Sequence, residues 1–143
     1  MPVPAYCPPA WLRNGHLQSF LSSSRLRQRR GAGLLQQLGA GSDELMLDGG
    51  NGVRLQGWYS QLPGTIPHAL VLLLHGWEGS AQSGYMRMAT ARLLEQGFAV
   101  VRLNFRDRGD TLHLNPELFH SVRLDEVVHA TADIARRYPA LPL

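Results

Sequence analysis

Ala69-Leu-Val-Leu-Leu-Leu74 is a run of six apolar residues that opens directly into His75-Gly-Trp-Glu-Gly-Ser80. This junction constrains the chain more than any other stretch. A run this short, with Pro67 just before it and Gly76 just after, reads as a strand buried on both faces rather than as a helix. Three glycines, Gly76, Gly79 and Gly84, precede the next helical pattern. A buried strand that opens into a Gly-rich turn at its carboxyl end is where α/β folds place ligands and reaction chemistry.

The flanking patterns build a sheet around that strand. Glu44–Asp48 and Val53–Tyr59 read as two strands of a hairpin, joined by Gly49-Gly-Asn-Gly52, residues that accept positive φ. Tyr85–Gln96 reads as a helix with Met86, Ala89 and Leu93 on one face, and Gly97 is placed to end it. Phe98–Leu103 is a second apolar strand with a polar exit at Asn104–Asp110. Ser121–Tyr138 is the clearest helical pattern. Leu124, Val127, Val128, Thr131, Ile134 or Ala135, and Tyr138 share one face, Ser121 is the expected N-cap, and Pro139 is the stop. The order β-β-β-α-β-α predicts an α/β fold, a β-hairpin followed by βαβα, with a mostly parallel sheet.

Charge divides the chain at about residue 42. Residues 1–42 hold five arginines (Arg13, Arg25, Arg27, Arg29 and Arg30) and no acid, whereas 43–143 hold nine arginines against eleven acids. We therefore treat 1–42 as an N-terminal arm and basic segment, and 43–143 as the α/β domain. In the arm, 1–10 is Pro-rich and expected to be extended, Trp11–Phe20 is expected to form one or two turns that dock on the body, and 31–41 reads as loose. The basic cluster reads as a solvated surface run, so no nucleic-acid partner is expected. Cys7 is the single cysteine, no run reaches eighteen apolar residues, and the N-terminus lacks a signal-peptide core. These features predict a cytoplasmic protein with no membrane span.

Few residues carry a chemical signature. His75 is either a base or metal ligand, or a histidine whose ring bonds backbone and shapes the turn; the second reading is preferred. Gly76 and Gly79 let the backbone approach a ligand, and adjacent N–H groups there suit an oxyanion. His113, His120 and His129, with Asp107 and Asp110 upstream, match neither HExxH nor paired CxxC spacing, so no metal is expected. The absence of GxxxxGK[ST], and of GxGxxG after a strand, argues against a nucleotide cofactor. No serine is flanked as Gly-x-Ser-x-Gly, the elbow of a serine esterase.

Several motifs occur together and in order: Trp11-Leu-Arg-Asn-Gly-His-Leu-Gln18, Leu72-Leu-Leu-His-Gly-Trp-Glu-Gly-Ser80 with Ser83 and Tyr85, Asn104-Phe-Arg106, and Phe119-His-Ser121 followed by Asp125. Over about residues 8–138 the chain resembles the YheT-like branch of the α/β-hydrolase superfamily, relatives of the abhydrolase-domain esterases and lipases. Gly15 stands where many relatives have proline, and Arg106 leads into Asp107-Arg-Gly-Asp110 where others continue with a small residue. The resemblance implies that the backbone N–H of Trp77 is one oxyanion-hole donor, with His75, Gly76 and Gly79 shaping its loop. It also implies a small-molecule ester as substrate, and a Ser-Asp-His triad that follows later in such chains.

On that reading the 143 residues are the N-terminal portion of a hydrolase, stopping before the nucleophile strand. They would be inactive alone, since an oxyanion donor is worth roughly 10²–10³ in rate and the missing serine about 10⁶. The family's strand order, 1-2-4-3-5-6-7-8, would leave strand 69–74 as an open apolar edge able to self-associate. The competing reading is a non-catalytic binding module, or the remnant of a decayed hydrolase gene.

Overall fold

A computed structural model describes residues 7–22 and 25–143, leaving the side chains of 22–28 aside. Residues 1–6 of the expected extended arm lie outside the described residues. A 3-10 turn at Ala10–Leu12 precedes helix α1 (Gly15–Ser22). Asn14 opens α1, its side-chain oxygen accepting the N–H groups of His16 and Leu17. Among the described residues, Trp11 and Phe20 of this segment are 66% and 74% exposed.

Strands β1 (Asp43–Asp48), β2 (Arg54–Ser60), β3 (Leu70–Leu74) and β4 (Ala99–Leu103) form one sheet in the order β1-β2-β4-β3. The β1–β2 and β2–β4 pairings are antiparallel and β3–β4 is parallel, so the described sheet is mixed, and parallel pairing is confined to the βαβ unit. The hairpin turn follows the sequence pattern: Gly50, Asn51 and Gly52 all have positive φ, at 77°, 52° and 80°.

The two faces are covered differently. Helix α4 (Leu124–Arg137) lies over Leu47, Leu55, Leu70, Val101 and Leu103, to which it contributes Ala130 and Ile134. On the opposite face, helices α2 (Arg25–Gln37) and α3 (Gly84–Glu95) bring Leu35, Ala91 and Leu94 onto Val100. Helix α2 corrects the loose reading of 31–37. Gly31 is a contact residue rather than a breaker. A Cβ there would sit 2.9 Å from both the Arg87 Cβ and the Gly84 carbonyl oxygen, so the missing side chain lets α2 close on α3. Gly39, at φ 63°, then ends α2 as the Ala40 N–H bonds the Leu35 carbonyl.

Helix α4 begins at Leu124, three residues after the expected cap at Ser121, with Arg123 at the cap position and no side-chain cap. Its buried face is Glu126, Ala130, Asp133 and Ile134, while Leu124 and Val128 are 68% and 64% exposed. The polar members of that face are tied down. Asp133 accepts the Asp48 N–H at 3.1 Å and an Arg137 N–H at 2.9 Å, and Tyr138 stacks on Tyr59 at 4.7 Å. Among the described residues strand β3 has one strand neighbour, β4, and on its outer side the Leu70 N–H donates to the Pro142 carbonyl. Among the described residues no helix is long and apolar enough to cross a membrane.

Candidate active site

The chain leaves β3 through a tight turn at its carboxyl end. Gly79 N–H bonds the Gly76 carbonyl at 3.0 Å, which makes Trp77 and Glu78 the two central residues of a β-turn. Glu78 has φ 55°, a left-handed value uncommon outside glycine. Gly79 is required by close packing, because a Cβ there would meet the Tyr85 hydroxyl at 2.8 Å and the Gly76 carbonyl oxygen at 3.0 Å. Gly76 is freer; a Cβ would meet only the Tyr85 hydroxyl, at 3.8 Å.

His75 is buried, and both its ring nitrogens are bound to backbone. Nε2 must accept, because its partner is the Phe105 N–H at 3.2 Å, so the proton sits on Nδ1 and is donated to the Gly76 carbonyl at 2.9 Å. Burial holds the imidazole below its ordinary pKa; the Gly76 bond opposes this and the Arg108 charge adds to it. A ring held this way is a brace between two loops, with no nitrogen left for proton transfer.

Because the folded pKa lies below the unfolded one, the unfolded chain takes up a proton first as pH falls. The stability that depends on neutral His75 is complete above about pH 6.5 and is lost progressively below it. Urea midpoints are expected to fall between pH 7.5 and 5.5, roughly the span in which an unperturbed histidine titrates. His75→Gln, which cannot titrate, is expected to be less stable but to show a flatter pH slope; an unchanged slope would contradict the assignment.

The N–H groups of the turn divide into bound and free. Gly76 N–H is taken by the Tyr85 hydroxyl at 2.8 Å, and Ser80 N–H by Ser83 Oγ at 3.0 Å. Among the described residues those of Trp77 and Glu78 have no partner. They belong to the turn beside a cavity of about 250 Å³ lined by His75, Gly76, Trp77, Phe105, Phe119 and Leu124, among others. Its wall is aromatic: Phe105 stacks on Phe119 at 5.1 Å and meets His75 edge-on at 4.6 Å, and Arg108 lies over Phe119.

Asn104 joins the two loops from below. Its oxygen accepts the Ala81 N–H at 2.6 Å and its amide donates to Gln56 at 2.7 Å. Neither this bridge nor the Tyr85 bond is visible from local sequence pattern, since the partners stand 23 and 9 residues apart. The histidines at 113, 120 and 129 do not converge: among the described residues no group of three or more His, Cys, Asp or Glu is placed to hold a metal.

No family model matches the chain, and no curated protein matches it. Solved structures do. An esterase of Pyrococcus furiosus superimposes with a TM-score of 0.60 at 22% identity, over 73% of this chain and 40% of that one. A bacterial heroin esterase superimposes at 0.54 and 21% identity, over 80% and 37%. An α/β serine hydrolase of Xanthomonas campestris without a lid gives 0.50 and 25%, over 69% and 44%. The chain thus has a partial α/β-hydrolase fold, and it spans about two fifths of the length of the esterases it matches.

Proposed function

We propose that these residues are the N-terminal part of a serine carboxylic-ester hydrolase of the YheT-like branch, and that they supply half of its oxyanion hole. The observation that carries this reading is the free N–H of Trp77. It stands at the carboxyl end of β3 beside an apolar cavity, while the neighbouring Gly76 N–H is already bound to Tyr85. A preorganised donor in a site of this kind stabilises the oxyanion of a tetrahedral intermediate more than it stabilises the neutral carbonyl. His75, Gly76 and Gly79 are loop-shaping residues in this scheme. The substrate is a small-molecule ester held against Phe105 and Phe119.

Acyl transfer needs a nucleophile, and no Gly-x-Ser-x-Gly occurs among the 143 residues. The Pro142 carbonyl bonded to Leu70 brings the chain alongside the outer edge of β3, the side on which the order 1-2-4-3-5 of the resembled family would put the nucleophile strand. In isolation the same edge offers its unpaired backbone groups to a second copy. Two measurements test the proposal. Reading the coding sequence beyond codon 143 should show an in-frame Gly-x-Ser-x-Gly within about a dozen residues; a stop codon there overturns it. The isolated chain should hydrolyse p-nitrophenyl acetate no faster than buffer and resist fluorophosphonate labelling, and burst kinetics abolished by that reagent would overturn the inertness.

A further inference from the structure

Arg102 is the one charged residue in β4, and at 1% exposure it is as buried as the aliphatic residues around it. Its side chain lies on the sheet face covered by α2 and α3. There Nη2 donates to Ser42 Oγ at 2.8 Å and Nη1 to the Ala81 carbonyl at 3.3 Å. Nε is buried and has no partner. None of these bonds reaches a carboxylate, although a buried guanidinium is normally paired with one.

Among the described residues no acid pairs with it. Residues 1–42, which include the roof formed by α2, contain none. Glu44, directly opposite Trp58, is on the same face but one strand further out, and its carboxylate accepts from Gln56. The charge that acts on it is instead a second cation, Arg87. Its Nε and Nη2 both go to the neutral Gln82 oxygen, at 3.0 and 2.5 Å, and its Nη1 has no partner among the described residues. Burial first, and Arg87 second, push the Arg102 pKa down to about 10.

A third donor stands on β2. Trp58 is directly opposite Arg102 in the β2–β4 register, which puts both side chains on the same face, and its indole Nε1 is also buried without a partner. Arg87, Arg102, Trp58, Ser42 and Gln82 line one cavity of about 440 Å³. Two like charges, beside two buried donors that no protein group satisfies, are unfavourable in a closed core and complementary to an oxyanion. Guanidinium groups suit phosphate and carboxylate in particular, because their N–H groups match the spacing of the oxygens. The cavity leaves room for more than an inorganic ion.

We propose that this cavity is an anion-binding site, in which Arg102, Arg87 and the Trp58 indole take the phosphate or carboxylate group of a small organic molecule. The site is separate from the cavity at the end of β3 and does not depend on an ester-hydrolase reading. It also lies away from the outer edge of β3, so association through that edge leaves it open.

The test uses the 143-residue chain at low micromolar concentration, in a buffer free of phosphate and carboxylate at constant ionic strength. Inorganic phosphate, acetate and chloride are titrated separately to on the order of 10 mM while the Trp58 indole N–H resonance is followed, assigned by its loss in Trp58→Phe. Phosphate or acetate is expected to shift that resonance saturably and to raise Tm, whereas chloride does neither; the tighter of the two identifies the ligand's anionic group. Arg87→Gln, which leaves Arg102 in place, is expected to weaken binding about tenfold or more, and Trp58→Phe, followed by Tm, by a similar factor. No saturable response to either oxyanion, or a response equal to that of chloride, overturns the site. Binding that survives both substitutions unchanged overturns it as well.

Discussion

Glu126→Leu is expected to destabilise the protein by about 3–5 kcal/mol, a large share of the roughly 5–15 kcal/mol available to a domain of this kind. The Arg106 side chain is only 4% exposed, and its Nη2 and Nε meet the two Glu126 oxygens at 2.7 and 3.3 Å. What remains to Arg106 after the substitution is the Glu117 carbonyl at 3.4 Å and the exposed Glu117 carboxylate at 3.9 Å. Neither compensates for a charge removed from water. The pair ties the exit of β4 to the first turn of α4, which holds Phe105 and the 117–123 loop in place as the wall of the β3 cavity. The desolvation argument makes a second, opposite prediction for the double variant. Arg106→Met with Glu126→Leu removes both charges together and is expected to fold with stability near that of the parent. Urea unfolding of the two variants checks both outcomes; a double variant as unstable as the single one would mean that the pair contributes geometry that packing cannot replace.

The parts of this fold that were legible in the sequence are those determined by neighbours along the chain. Positive-φ residues placed the hairpin turn at 49–52, and short, strongly apolar runs placed β3 and β4, because both signals are local. Helix α2 was obscured by Gly31 and Gly33. Glycine inside a helix usually marks a break, but Gly31 meets α3 backbone 53 residues away, at Gly84, and only the packed structure gives it that role. The α4 pattern misled in a related way. Leu124 and Val128 belong to its apolar periodicity and are nonetheless exposed, while Glu126 and Asp133 are buried because ion pairs and a strand N–H await them. At the site, the turn after β3 could be placed from its glycines. Which of its N–H groups is free could not, since that depends on the Tyr85 hydroxyl arriving from the next helix. Arg102 gave one signal, a lone charge inside an apolar strand, whose meaning depends on the cavity around it.

Trp77→Pro, made in a full-length protein that carries the nucleophile, is expected to lower kcat by about 10²–10³ with much less change in KM. Proline removes the one atom that the proposed mechanism requires of this residue, its N–H. The turn itself should survive, because Trp77 is the first of its two central residues and Glu78, the second, has positive φ; proline is favoured at the first position of such turns. The preceding residue is glycine, which tolerates the extended conformation that proline imposes on it. Trp77→Ala separates backbone from side chain. It keeps the N–H and deletes an indole that is 75% exposed, so kcat should stay close to the parent value. If the two variants lose activity equally, the indole is the functional group and the substrate packs on it. If Trp77→Pro retains full kcat while its fold is intact, the oxyanion donor is another N–H. Glu78 is then the next to test, since its N–H is the other one in the turn without a partner.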